Sequence, residues 1–231
     1  LAPLAAQLSV DYLDTRVFAM RPRRWLELMS KSRATISLGP PFGYDLVSRR
    51  LRPGEAQRFD LSNWRVAGVG AEMIRAETLD RFARRLAPAG FDPKSFLACY
   101  GMAECSLAVS FAPIDLGLRV DHVDGAHLAI HGAALPVAAD AERADQTNVN
   151  SYVDCGQPMP GHEVEIRDAQ GRRLPERRVG VIYVRGPSVM TGYLGQPEAS
   201  QDVLSSDGWL NTGDLGYQVG GSIHVTGRQK D

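Results

Sequence analysis

In Ala98-Cys99-Tyr100-Gly101-Met102-Ala103-Glu104 an apolar run that starts at Phe96 ends in an aromatic, a glycine and then a lone carboxylate. The chain resumes at once as Ser106-Leu107-Ala108-Val109-Ser110-Phe111. A buried strand that stops on Tyr-Gly and delivers a Glu at its carboxyl end is where open α/β sheets place ligand chemistry. Two earlier runs stop in the same way. Ala34-Thr35-Ile36-Ser37-Leu38 breaks at Gly39-Pro40-Pro41, and Trp64-Arg65-Val66-Ala67-Gly68-Val69 ends at Gly70-Ala71-Glu72. Residues 42–51 can form a helix between them. Residues 76–86 carry Leu79, Phe82, Ala83 and Leu86 at i, i+3, i+4 and i+7, an amphipathic helix closed by Pro88 and Gly90. Alternating β and α with short links predicts an α/β fold, a parallel sheet with crossover helices. That topology puts Gly39, Gly70 and Gly101 on one edge, lining one crevice.

Upstream, residues 16–38 read as helix then strand, with Trp25, Leu28 and Met29 on one helical face and Pro22 near the first turn. The chain has 231 residues, 44% apolar and 23% charged, with a net charge of -1, an ordinary globular composition. Near-zero charge offers no electrostatic case for nucleic acid or an anionic membrane. No apolar run approaches the ~20 residues of a membrane helix. The opening Leu1-Ala2-Pro3-Leu4 has neither an initiator Met nor a basic flank, and reads as the start of a piece rather than a signal peptide. Cys99, Cys105 and Cys155 lack zinc spacing. They are expected to be reduced, in a cytoplasmic protein, with Cys99 a small buried hydrophobe.

The character changes after Phe111, and three regions follow: an α/β part over 1–111, an irregular linker or insertion over 112–150, and a β subdomain over 151–231. In the middle region Leu118-Arg119-Val120 and His127-Leu128-Ala129-Ile130 are short alternating pieces expected to be strands, and 139–150 a mobile surface segment. His122, His127 and His131 follow no strict metal motif and read as a solvated loop. From Ser151 onward the pattern is all β, with a turn at Ala169-Gln170-Gly171-Arg172 between two strands.

Three short elements stand in order: Tyr100-Gly101-Met102-Ala103-Glu104, Thr212-Gly213-Asp214, and Gly227-Arg228-Gln229-Lys230-Asp231. Together they resemble the core motifs of the adenylate-forming superfamily of acyl-CoA synthetases, peptide-synthetase adenylation domains and luciferases. Gly70-Ala71-Glu72 after its strand, Cys155-Gly156-Gln157-Pro158, Arg185-Gly186-Pro187-Ser188-Val189 and Trp209-Leu210-Asn211-Thr212-Gly213-Asp214 look most like the fatty acyl-AMP ligase branch. The resemblance covers about residues 16–231, and 112–150 falls where that branch tends to carry extra sequence. It implies attack of a fatty carboxylate on the α-phosphate of ATP, with Mg²⁺ present, giving acyl-adenylate and pyrophosphate. The acyl group then passes to the thiol of an acyl carrier protein or of a polyketide or peptide synthase carrier domain. Coenzyme A as acceptor, in an acyl-CoA synthetase, is the neighbouring reading, and a non-catalytic nucleotide-binding or interaction module on the same scaffold is a third.

On that resemblance, Gly70, Ala71, Gly101 and Met102 frame the adenine crevice, where glycine permits close backbone approach. Tyr100 either supplies a stacking face or is a core aromatic with its hydroxyl bonded. Glu104 is a hard oxygen ligand for Mg²⁺, or else a helix-terminal charge. Asp214, in a turn held by Gly213, offers two oxygens to the ribose hydroxyls, or is a simple Asp-Leu-Gly turn. Arg228 donates toward the ribose or α-phosphate. Glu72 faces the adenine edge or pairs with Arg75. Gly39, Phe42 and Tyr44 are implied to line the acyl tunnel, with plain core roles as the other reading of the two aromatics. Asp231 is the implied interdomain hinge.

Two expected parts are missing: a Ser/Thr/Gly-rich phosphate loop closing on Pro-Lys, and a C-terminal domain with its catalytic lysine, which Lys31, Lys94 and Lys230 do not replace by context. The chain alone is therefore expected not to catalyse adenylation at a useful rate.

Overall fold

A computed structural model of the chain describes residues 2–137 and 148–229. It opens with three helices, α1 (Ala2–Ala5), α2 (Thr15–Met20) and α3 (Arg23–Ser32). The Asp14 carboxylate accepts the Arg16 and Val17 N–H groups at 2.9 and 3.0 Å, satisfying donors that the first turn of α2 leaves unpaired. α3 buries Trp25, Leu26 and Met29; Leu26, not Leu28, completes that face.

The predicted alternation follows: β1 (Ile36–Gly39), α4 (Pro41–Arg50), β2 (Val66–Val69), α5 (Ala76–Leu86) and β3 (Phe96–Tyr100). Pro41 sits in the first turn of α4, where its missing N–H costs nothing. The strands are parallel, with Ile36 opposite Val66 and Ala67 opposite Phe96. The α/β architecture is thus as expected up to Tyr100. Beyond it the sheet becomes mixed, because β4 (Ser110–Phe111) pairs antiparallel with β3. The link from Gly101 to Val109 is too short for a crossover helix and leaves a reversal as the only route.

The middle region is more ordered than its sequence suggests. β5 (Val120–Asp124) pairs antiparallel with β6 (Val149–Val153), and α6 (Gly125–His131) sits between them. The expected strand at His127-Leu128-Ala129-Ile130 is therefore a helix. Asp124 caps it by accepting the His127 N–H at 2.9 Å, and Gly132, at φ +60°, ends it. A strand does begin nearby, but at Val120 and not Leu118. Of the segment expected to be mobile, 139–147 lie outside the described residues, and Val149 and Asn150 belong to β6.

β7 (Gln157–Pro158) pairs with β4 and completes the order β1-β2-β3-β4-β7. A second sheet, order β11-β10-β9-β8, holds β8 (Glu163–Arg167), β9 (Gly180–Arg185), β10 (Leu210–Val219) and β11 (Ser222–Arg228). This half is not all β: α7 (Pro197–Val203) interrupts it, started by Pro197 in the first turn with Glu198 beside it.

Buried side chains from both halves form one cluster, from Trp25, Tyr44, Trp64, Phe82 and Phe96 to Ile166, Ile182, Leu210 and Ile223. Its aromatic centre packs edge to face, Tyr44 against Phe82 at 5.0 Å and against Trp25 at 5.1 Å between ring centres. Among the described residues no helix is long and apolar enough to cross a membrane.

Candidate functional site

Parallel strands end on the same edge, so Val69 and Tyr100 bring 71–74 and 99–104 together there. Those segments form one wall of a cavity of about 630 Å³, and Val153, Cys155, Asp214, Gly227 and Arg228 form the other. A Cβ at Gly101 would stand 1.9 Å from the Leu107 carbonyl oxygen, so only glycine lets the chain turn back along β3. Ala71 holds φ at +67°, a costly backbone for a non-glycine residue, and it does so on the cavity wall.

Asp214 lies within β10 and not in a simple turn, directly across from Arg228 in β11. Its Oδ1 accepts from Arg228 Nε at 2.8 Å and its Oδ2 accepts from the Tyr100 hydroxyl at 2.7 Å. The carboxylate expected to stand open to a sugar already has two protein donors. A carboxylate accepts along about four directions, so it can still take a diol. Burial, and then the charge of Asp214, hold the Tyr100 phenol well above the ordinary tyrosine range. The ring is buried, its hydroxyl is bonded, and it still borders the cavity.

Glu104 sits in a one-turn 3₁₀ helix, Ala103–Cys105. Its Oε1 accepts from the Tyr193 hydroxyl at 2.8 Å, and its carbonyl accepts the Met190 N–H at 2.7 Å. The Tyr193 phenol is raised by that bond first, then by burial. Tyr193 was not anticipated from sequence. Its only local signal is an aromatic set between Gly192 and Gly195 after a strand. Glu72 is exposed on the cavity wall and forms no ion pair with Arg75. Cys99 differs from expectation: its thiol, 3.3 Å from the Val69 carbonyl oxygen, borders the cavity and is only partly buried. Cys105 is pushed up to about 11 by burial and by the charge of Glu104.

Other expected residues fall elsewhere. Gly70 is used by the fold itself, since a Cβ there would stand 2.6 Å from the Cys99 carbonyl oxygen. Gly39, Phe42 and Tyr44 do not line this cavity. Tyr44 is fully buried and donates to the Gly68 carbonyl at 2.9 Å, whereas Phe42 is 54% exposed on α4. Helical spacing separates them: two positions apart, they point to different sides. Asp231 lies outside the described residues.

A larger cavity, about 760 Å³, lies behind the first. Asp154 and His224 line it, while their neighbours Val153, Cys155 and Val225 line the first, so alternating strand positions form the partition. It contains no residue of the Tyr100–Glu104, Thr212–Asp214 or Gly227–Asp231 elements, although Gln157 and Pro158 of the stretch 155–158 line it. No group of three or more His, Cys, Asp or Glu side chains suited to a metal occurs among the described residues. The His127 and His131 rings lie 4.5 Å apart on α6, tilted 46° to each other, and His122 Nδ1 lies 2.9 Å from Ser151 Oγ.

Residues 1–194 match the AMP-binding enzyme family. Over its whole length the chain is 44% identical to a Caulobacter vibrioides protein provisionally named an acyl-CoA synthetase, of which it covers 40%. It is 35% identical to the medium-chain-fatty-acid–[acyl-carrier-protein] ligase TtuA of Teredinibacter turnerae, covering all of this chain and 37% of that protein. A solved structure from work on fatty acyl-adenylate ligases of E. coli and L. pneumophila superposes with a TM-score of 0.92 at 48% identity. It covers 99% of this chain, which covers 40% of it. A fatty acyl-adenylate ligase of L. pneumophila, solved with acyl adenylate and pyrophosphate, gives 0.90 at 30% identity, again over 99% and 40%. The chain belongs to the AMP-binding enzyme family, within the adenylate-forming superfamily, and is most like the fatty acyl-AMP ligases. It spans about two fifths of the length of the relatives it matches.

Proposed function

We propose that this chain is the adenosine-holding part of a cytoplasmic acid–AMP ligase that activates a fatty carboxylate with ATP and hands the acyl group to a carrier-protein thiol. The observation that carries this reading is the bonded set Tyr100–Asp214–Arg228 at the carboxyl end of β3, in one cavity with Glu104. Asp214 accepts the ribose hydroxyls, Tyr100 holds that carboxylate in place, and the strained turn at Ala71 presents its backbone to the purine. A carboxylate oxygen of the fatty acid attacks the α-phosphorus, the bond to the β-phosphate breaks, and pyrophosphate leaves. The chain contributes alignment, with Arg228 close to the charge that develops.

Glu104 fits a Mg²⁺ role. Mg²⁺ is commonly held by one or two carboxylates plus substrate phosphates, and Glu104 brings one hard oxygen pair to the cavity wall with Oε2 bonded to no described residue. When bound, the cation neutralises charge on the polyphosphate. Glu104 holds and orients it.

The test is calorimetric titration of a non-hydrolysable long-chain acyl-adenylate mimic into the chain. Tyr100→Ala and Asp214→Ala should each weaken binding about 10- to 100-fold, the scale of a lost charged hydrogen bond or stacked base. No binding by the folded wild-type chain would overturn the placement of the adenosine crevice in these residues. Fatty-acid-dependent pyrophosphate release by the chain alone would overturn the expectation that it does not turn over unaided. The similarity to the Caulobacter protein favours a second reading, coenzyme A as acceptor, which acyl-CoA formation by the full-length protein would establish.

A further inference from the structure

Glu104 is gripped at both ends by a loop remote from it in sequence. After β9 the chain passes over the one-turn helix. There the Met190 N–H donates to the Glu104 carbonyl at 2.7 Å and the Tyr193 hydroxyl donates to Glu104 Oε1 at 2.8 Å. The loop is braced in turn. The Tyr193 N–H donates to Ser200 Oγ at 2.8 Å at α7, and Ser188 Oγ lies 2.7 Å from His162 Nε2. Glu104 lines the cavity and Tyr193 does not, so Tyr193 stands behind the carboxylate.

We propose that Tyr193 is a positioning residue for Glu104: its hydroxyl fixes Oε1 and so presents Oε2 to the divalent cation carried by the bound nucleotide. This rests on the functional reading above. Mg²⁺ demands near-octahedral geometry, and a glutamate free to rotate on a cavity wall meets that demand only after losing side-chain freedom. A donor at one oxygen selects the rotamer and the plane of the carboxylate beforehand. A phenol suits the task because it donates without bringing a positive charge, whereas Lys or Arg at that place would compete with the cation for the same carboxylate. The paired backbone bond at Met190 makes the support two-point, so that the loop after β9 sets both where Glu104 stands and which way it faces.

The experiment uses the full-length protein that contains this chain, with Mn²⁺ binding in the presence of ATP read by electron paramagnetic resonance. Acyl-adenylate formation is followed in parallel across Mg²⁺ concentrations. Y193F should weaken Mn²⁺ binding about 3- to 10-fold and raise the Mg²⁺ half-saturation by the same factor, the scale of one net hydrogen bond. At saturating Mg²⁺ the kcat should stay within about twofold, because the loss is in ground-state cation binding. E104Q should abolish the ATP-dependent Mn²⁺ site, and adding Y193F to E104Q should change nothing more. The inference is overturned if Y193F lowers the rate equally at every Mg²⁺ concentration with Mn²⁺ binding unmoved, or if its effect persists undiminished in E104Q. Failure of the underlying reading shows in the wild type, as absence of ATP-dependent Mn²⁺ binding and of acyl-adenylate, before any variant is made.

Discussion

A methyl group at Gly101 would collide with the Leu107 carbonyl oxygen at 1.9 Å and with Ala108 Cα at 2.8 Å. Both obstacles are backbone, which cannot swing aside, so Gly101→Ala should cost about 1–3 kcal/mol or more, read from the urea unfolding midpoint. In sequence the same glycine reads as the end of a strand with room for a ligand; it lines the cavity, and it also admits the chain's own return. Gly70 repeats the lesson, with Cys99 as the neighbour. Glycine announces a close approach. It does not say to what.

At the scale of elements, periodicity and punctuation located α5 and β3 without help. The apolar spacing of Leu79, Phe82, Ala83 and Leu86 is a property of the helix alone, and all four are buried. The misreading of His127-Leu128-Ala129-Ile130 as a strand came from weighing a short alternation over its cap. Asp124 and Gly132 bracket the segment as helix terminators, and a run this short carries too few periods to choose between 2 and 3.6. Asp124→Ala should therefore destabilise by about 1 kcal/mol through the lost bond to the His127 N–H. Chemical denaturation of the chain checks it, and an unchanged midpoint would show the cap to be idle.

Across the whole molecule, the partition between the two cavities contains a buried histidine. His224 stacks on Tyr217 at 4.9 Å, and its Nδ1 is buried with no hydrogen-bond partner among the described residues. Burial lowers its pKa below the ordinary 6.5, opposed by Asp154 and Asp121 and reinforced by Arg177. Below about pH 6.5 the unfolded chain takes up this proton before the folded one, so His224 makes stability fall as pH falls. His224→Phe keeps a ring beside Tyr217 and should flatten the fall in unfolding midpoint below about pH 6.5. An unaltered pH profile would mean that other groups set it.

The α/β alternation, the strand ends that carry Tyr100 and Glu104, and the family can all be read from local sequence. Each of these is written within a few neighbouring residues as period, cap or motif. The folded arrangement alone brings Asp214 to Tyr100 across 114 residues and Tyr193 to Glu104 across 89. It also decided that Tyr44 belongs to the core and not to the cavity. Such pairings are fixed by sheet register and by the path of the loops, which depend on the packing of the whole core and leave no trace in local spacing.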